Sequence, residues 1–360
     1  MSHTHYNRFF PTPEYLQRPS VGIDISDRSI KYVALTRKRN ELRTDFFGEK
    51  KIPEGVVDSG KIKNPQVLIS LLQEIKKEHG CHFVRVSLPE EQMYLFELTV
   101  PKMTADEIRG TIDIQLEEHV PLAPQDVVFD YDLIEEVADA YKVLVTVAPT
   151  VVVDEYTALF RDAGLMPLSL ELEASALSRA IVAEGDDHTY MLVDFGDTRS
   201  GISIVHKRIP VFTSTVSIGG TIITDMIAKN FSVSFEEAEK MKKEIGLSRN
   251  EKDKELFAVI LNGLSVLRDE VSRHYIYWHS HKGIDGNPHP PIQSIRICGG
   301  NANLDGIAEY FKTSLRSEVE LANVWTNIAA LDSYVPPINF KQSPSYATAI
   351  GLALGDFEHD

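Results

Sequence analysis

The chain has 360 residues, 43% of them hydrophobic, and a formal net charge of −16. The length suggests roughly two domains. The charge argues against a general nucleic-acid or anionic-membrane binder and reads first as solubility.

No apolar run approaches the ~20 residues that span a bilayer. Cys81 and Cys298 lie far apart without zinc-like spacing, and read as reduced residues in or near strands. The segment "MSHTHYNRFFPTPEYLQRPS" has no continuous apolar stretch. It reads as a loosely held tail broken by Pro11, Pro13 and Pro19, not as a secretory signal.

Strand-like runs follow at 21–25, 30–35 and 42–52. Asn64 as N-cap, Pro65 at the first helical position and Gly80 as the stop predict a helix between them. Leu68, Leu71, Leu72 and Ile75 form its apolar face. "HFVRVSLP" returns to strand. Residues 92–166 read as a second α/β block. "YLFELTVP", "VVFDYDLIEEV" and "YKVLVTVAP" are strands. Thr104 and Glu107 have capping-box spacing at the start of a helix with Ile108, Ile112 and Leu116 inward. "VDEYTALFRDAG" is a helix closed by Gly164.

"LSLELEASALSRAIVAE" passes from strand to helix, and a hairpin covers 190–216. "SIGGTIITDMIAKNF" is a Gly-Gly turn opening a helix. "SFEEAEKMKKEIG" is a helix with Ser234 and Glu237 as capping box. A long helix is predicted over roughly 252–279, then a Pro/Gly loop with His279, His281 and His289. These histidines have no acidic or cysteine cluster beside them and read as a solvated loop. "SIRICGGNANLDGIAEYFKTSL" is strand, Gly-rich turn and helix, and "PSYATAIGLALG" is a small-residue helix.

One pattern occurs twice. "VGIDISDRSIKYVAL" and "MLVDFGDTRSGISIV" are both strand–Asp–turn–strand, with Asp24 and Asp194 in matching places. Such an aspartate can simply form an Asx-turn. It can also order a metal's hydration shell while turn N–H groups face a phosphate. Gly-Gly turns before helices are natural anion sites.

The set resembles the actin/Hsp70/sugar-kinase ATPase superfamily. "GIDISDRSIK" looks like its first phosphate loop, "VDFGDTRSG" its second and "ICGGNANLDGI" its adenosine motif. "LELEASALSRAI" and "YATAIGLAL" match the two helices that hinge the halves. The resemblance implies an α/β actin-like (ribonuclease H-like), two-lobed ATPase fold that binds ATP and Mg²⁺. Asp24, Asp194 and Asp197 would hold Mg²⁺ through water. Ser26, Asp27, Arg28, Gly196 and Thr198 would surround the phosphates. Lys31 would reach them, or stand as an exposed strand lysine. Gly219, Gly220, Gly299, Gly300 and Asn301 would let backbone approach the nucleotide. Glu239 and Lys242 would touch the ribose and adenine edge, or form an exposed charged helix face. Glu171 or Glu173 would orient an attacking water. Strand alternation puts both on one face, so the choice stays open.

Within the superfamily the chain resembles the FtsA/PilM branch. "ELTVPKMTADEIRGTIDIQLEEHVPLAPQDVVFDYDLI" and "IPEGVVDSGKIKNP" are PilM-like, as are "SIGGTIIT" with "EEAEKMKKEIGL", and "LANVWTNIAAL". The implied organisation is a tail at 1–19 and a first lobe (1A) at 20–91. An inserted 1C-like subdomain spans 92–166, and 167–190 return to the first lobe. A second lobe (2A/2B) spans 191–345, and a last connecting helix and tail 346–360. The chain ends in "GDFEHD", without the basic amphipathic membrane helix of FtsA proteins.

The implied function is a cytoplasmic scaffold of type IV pilus assembly. It would bind the N-terminal cytoplasmic tail of a PilN-type inner-membrane protein, and meet other platform and motor proteins of the machine. Association with the inner face of the membrane would be through partners. ATP would act mainly as a conformational ligand, with at most slow hydrolysis. Ser26, where relatives carry Gly, and Arg28 make the first loop a nucleotide grip before a catalytic engine. The alternatives are an FtsA-like polymerising protein and a small-molecule kinase on the same fold.

Overall fold

A computed structural model describes residues 19–38, 41–137, 139–247, 253–283, 286–328 and 334–357. The expected tail lies outside the described residues except for Pro19.

The first half runs β1 (Ser20–Ile25), β2 (Ser29–Lys38), β3 (Glu41–Lys51), β4 (Val57–Asp58), β5 (Lys61–Ile62), α1 (Pro65–His79) and β6 (Phe83–Leu88). β7 (Tyr94–Pro101), α2 (Ala105–His119), β8 (Val127–Val137), β9 (Ala140–Pro149) and α3 (Thr150–Asp162) follow. β10 (Met166–Leu172) and α4 (Glu173–Ile181) close it. The second half runs β11 (Thr189–Phe195), β12 (Ser200–His206), β13 (Ile209–Val216), α5 (Gly220–Phe231), α6 (Phe235–Ile245) and α7 (Lys254–Ser280). β14 (Ile292–Cys298), α8 (Ile307–Leu315), β15 (Val319–Leu321) and α9 (Ala347–Leu354) complete it.

Two five-stranded sheets repeat one topology. The first has the order β3-β2-β1-β6-β10 and the second β13-β12-β11-β14-β15. In each, an antiparallel hairpin comes first, and its leading strand then accepts a parallel neighbour. Asp24 pairs with Lys31 and Asp194 with Gly201, so the two aspartates occupy corresponding places at the ends of β1 and β11. The repeated motif is thus a repeated half-molecule.

A third sheet, β7-β9-β8, buries one face against α2. Val143, Val145 and Val147 alternate inward on β9, opposite Ile108, Ile112 and Leu116. The capping box of α2 forms as predicted, with the Thr104 N–H and hydroxyl each donating to Glu107 at 2.8 Å. Asn64 precedes α1 but makes no side-chain cap bond, so Pro65 and the left-handed Gly80 (φ 66°) delimit that helix.

The two halves meet on α4 and α9. All eight residues of α9 are buried. A Cβ on Gly351 would stand 1.8 Å from the Ala176 carbonyl oxygen of α4. One on Gly22 of β1 would stand 2.1 Å from the Ala349 carbonyl oxygen. Small residues let these backbones touch. Asp356 fastens the end of this region: it accepts from the Ser20 N–H and hydroxyl at 2.7 Å, and from Arg85 at 2.9 Å.

His279 departs from the predicted loop, because α7 runs through Ser280. Its ring lies against Tyr275, His281 stacks on Tyr277 and His289 on Trp278. No described helix is long and apolar enough to cross a membrane. Both cysteines are free thiols.

Candidate functional site

The β1–β2 and β11–β12 turns face each other across a cavity of about 60 Å³. The first contributes Asp24, Ser26, Asp27 and Arg28, and the second Asp194, Gly196, Asp197, Thr198 and Arg199. Glu173, Gly201 and Thr215 complete the lining.

The first turn is closed by its own serines. Ser26 N–H donates to the Ser29 carbonyl at 2.9 Å, and the Ser29 N–H returns to Ser26 Oγ at 3.2 Å. Asp24 accepts from Ser87 Oγ at 2.9 Å. Burial pushes its carboxyl up, while Lys31 and the Ser87 hydroxyl draw it back. In the second turn, burial first and the charge of Asp24 next raise Asp194 to about 6. This turn is docked on the start of α5: Gly220 N–H donates to Gly196 O at 3.0 Å and Thr221 N–H to Asp197 O at 2.9 Å. A Cβ on Gly220 would stand 2.1 Å from Asn301 Oδ1, so a side chain there would push the second turn's support away.

The lobes are joined across the cavity by Arg199 and Asp27. Arg199 reaches Asp27 at 3.0 Å, Glu91 at 2.6 Å and Glu173 at 3.9 Å. Thr198 Oγ1 donates to Asp27 Oδ2 at 2.7 Å. Burial opposes the Arg199 charge, but Glu173, Glu91, Asp27 and Asp24 together outweigh it and hold the guanidinium above its ordinary value. Burial lifts the Glu173 carboxyl well above its ordinary value, with Arg199 pulling it down.

The family model for the type IV pilus assembly protein PilM matches residues 22–357. The chain belongs to the PilM family. The PilM–PilN type IV pilus biogenesis complex is similar in structure at a TM-score of 0.79, with 22% identity, over 95% of this chain and 99% of that one. MreB5 of Spiroplasma citri bound to ADP is similar at 0.54, with 14% identity, over 86% and 93%. These likenesses show an actin-like fold. The cell division protein FtsA of Enterococcus hirae is 24% identical over 254 residues, 62% of this chain. The chain matches 56% of that protein's length.

In this PilM-family chain the predicted residues divide into three groups. Asp24, Ser26, Asp27, Arg28, Asp194, Gly196, Asp197, Thr198 and Glu173 converge on the cavity. A second group stands behind the wall. Asn301 donates to Gly196 O at 2.9 Å and to Asp197 Oδ1 at 3.0 Å. Gly219 and Gly220 begin α5, and Gly299 (φ 92°) lies against Asp194. Gly300 lies beside Asp197. Lys31 bonds to Ser29 Oγ at 2.9 Å and pairs with Glu49 at 3.7 Å.

The third group is corrected by the structure. Glu171 does not share a face with Glu173, because β10 ends at Leu172 and the helical twist of α4 begins at Glu173. Glu171 instead pairs with Arg179 at 2.8 Å and Arg85 at 3.5 Å, away from the cavity lining. Lys242 is neither an exposed charge nor a residue open to a ribose. It is 2% exposed, because it shares with Ala238 the face of α6 that packs inward. Its ammonium donates to Gly220 O, Thr224 Oγ1 and Asn301 Oδ1 and pairs with Glu239. Burial raises the Glu239 carboxyl, but Lys242 and its hydrogen bonds outweigh that and hold it at about 2. This pair props Asn301, which props the second turn.

Sequence reasoning missed Arg199, Glu91 and Thr215. An arginine two residues past Asp197, within a turn rich in carboxylates, was the available signal.

Proposed function

We propose that this PilM-family protein is a cytoplasmic scaffold of type IV pilus assembly. It takes Mg-ATP between its lobes and holds the N-terminal cytoplasmic peptide of a PilN-type inner-membrane protein against its three-stranded unit. The observation that carries the nucleotide reading is the facing of the two turns, one from each half, with Asp24 and Asp194 opposed.

The donor set fits a hydrated divalent cation. Asp194 is raised by burial first and by the charge of Asp24 next, and a hard cation between such oxygens relieves that repulsion. Among the described residues no three His, Cys, Asp or Glu side chains are placed to ligate a metal directly. Asp24, Asp194 and Asp197 would therefore act through water. The bound cation would neutralise phosphate charge. A cavity of about 60 Å³ holds water and an ion, whereas nucleotide-sized sites run to several hundred Å³. A nucleotide would place its phosphates in this cavity, and ATP then acts as a conformational ligand in proportion to its differential affinity for two closures of the lobes.

The peptide reading rests on β8. Among the described residues β8 pairs only with β9, so its outer edge offers backbone groups to an extended strand. Asp130, Asp132, Glu135 and Glu136 give it an acidic character suited to a cationic amino terminus. Burial and the neighbouring Asp130 raise Asp132.

Calorimetric titration with a PilN-type N-terminal peptide tests this. We expect binding by the parent chain, and no heat with or without Mg-ATP would overturn the peptide reading. In a parallel titration, Asp24→Asn and Asp194→Asn each weaken Mg-ATP by more than about tenfold, or ~1.4 kcal/mol. Unchanged affinity in both would remove the cation role. Sustained phosphate release abolished by Glu173→Gln would make the protein a working ATPase.

A further inference from the structure

The contacts around Arg199 extend beyond the cavity. Arg199 belongs to the second lobe, yet Asp27, Glu91 and Glu173 all come from the first half. Glu91 lies in a single 3-10 turn, Glu90–Gln92, and β7 of the three-stranded unit begins at Tyr94. That turn is held from the other side as well. Gln92 Nε2 donates to Gly60 O at 3.1 Å, and Gly60 N–H donates to Asp27 Oδ1 at 3.2 Å. Asp27, Gly60, the Glu90–Gln92 turn and Arg199 thus close a ring.

The ring gives the "VVDSGK" segment a role. Ser59 and Gly60 hold positive φ, 51° and 72°, and a Cβ on Gly60 would stand 2.4 Å from Pro89 Cβ. The tight β4–β5 turn presses directly on the base of the 3-10 segment. One guanidinium serves three carboxylates here, and it also lines the phosphate-sized cavity. Phosphoryl oxygens bind guanidinium in a fork and carry more charge than any one carboxylate.

Resting on the nucleotide and peptide readings above, we propose that Arg199 is a positioning residue that couples the two ligands. A phosphoanion between the lobes draws the guanidinium from Glu91. That loosens Glu90–Gln92 and the start of β7, and through β9 the sheet whose outer strand, β8, takes the peptide. Nucleotide and peptide then oppose each other, reciprocally.

The test measures anisotropy of a labelled PilN-type N-terminal peptide on the full chain, with and without saturating Mg-ATP. In the parent, Mg-ATP weakens peptide binding by about fivefold or more. In Arg199→Met and Glu91→Gln the two affinities agree within about twofold. Glu91 lies outside the cavity lining, so Glu91→Gln decides alone if Arg199→Met fails to fold or to bind Mg-ATP. An undiminished shift in Glu91→Gln overturns the coupling and leaves both binding readings intact. So does a parent that binds both ligands with no shift. A parent that binds neither ligand overturns the binding readings themselves, and the coupling with them.

Discussion

Glu90→Gln stabilises the protein at pH 8 and leaves it nearly unchanged at pH 5. Glu90 is 8% exposed, and its Oε1 is buried without a hydrogen-bond partner among the described residues. Burial first, then the charges of Glu91 and Asp194, raise its carboxyl from 4.5 to about 8. Between those two values the folded protein binds a proton that the unfolded chain has released. Stability is therefore fullest on the acid side and falls as pH rises, by about 1.4 kcal/mol per unit while one proton is involved. From pH 5 to pH 8 the loss is on the order of 3 kcal/mol. Glutamine keeps the shape and stays neutral, so it removes this slope. Urea unfolding of both proteins across that range shows the effect as converging curves at low pH and separated curves at high pH. Parallel curves would mean that Glu90 ionises in the folded state as freely as in the unfolded chain.

Gly351→Ala is expected to cost about 3 kcal/mol or more, the upper end of what overpacking produces. The added carbon would stand 1.8 Å from the Ala176 carbonyl oxygen, a backbone atom that cannot swing aside. Moving α9 away is blocked on its other side, where Gly22 of β1 already meets Ala349 and Ala353. Arg179 also donates to the Gly351 carbonyl at 2.9 Å, a bond that any shift of α9 stretches. Gly110→Ala is the control. It sits in α2 with nothing within 4 Å of the new carbon, and it should stabilise by up to about 1 kcal/mol through helix propensity. A Gly351→Ala urea midpoint equal to the parent's, at unchanged slope, would show that the helix crossing is looser than it looks.

What was legible in the sequence was local. The paired turns could be read because an aspartate ending an apolar strand and the polar turn behind it form one short signal. The boxes at Thr104 and Ser234 span four residues each, and both form. Glu171 and Glu173 could not be separated, because "LELEA" keeps alternating while the backbone changes from strand to helix between them. Lys242 looked like surface charge because Glu239, Lys240, Lys243 and Glu244 surround it in the sequence. Only the packing of α6 on α5 turns its ammonium inward. Arg199 carried a local signal only in its place beside Asp197: its partners stand at 27, 91 and 173, on three separate elements that only the closed fold brings together.

The clasp between Ser20 and Asp356 sets a schedule for biosynthesis. β1 leaves the ribosome well ahead of α9, the helix that covers its Gly22 face. At roughly 5–20 residues per second, the nascent first sheet waits on the order of tens of seconds for that cover. During that interval the apolar bed of α9 is open to solvent and to chaperones. Slowed elongation late in the message should therefore raise aggregation more than the same delay placed early.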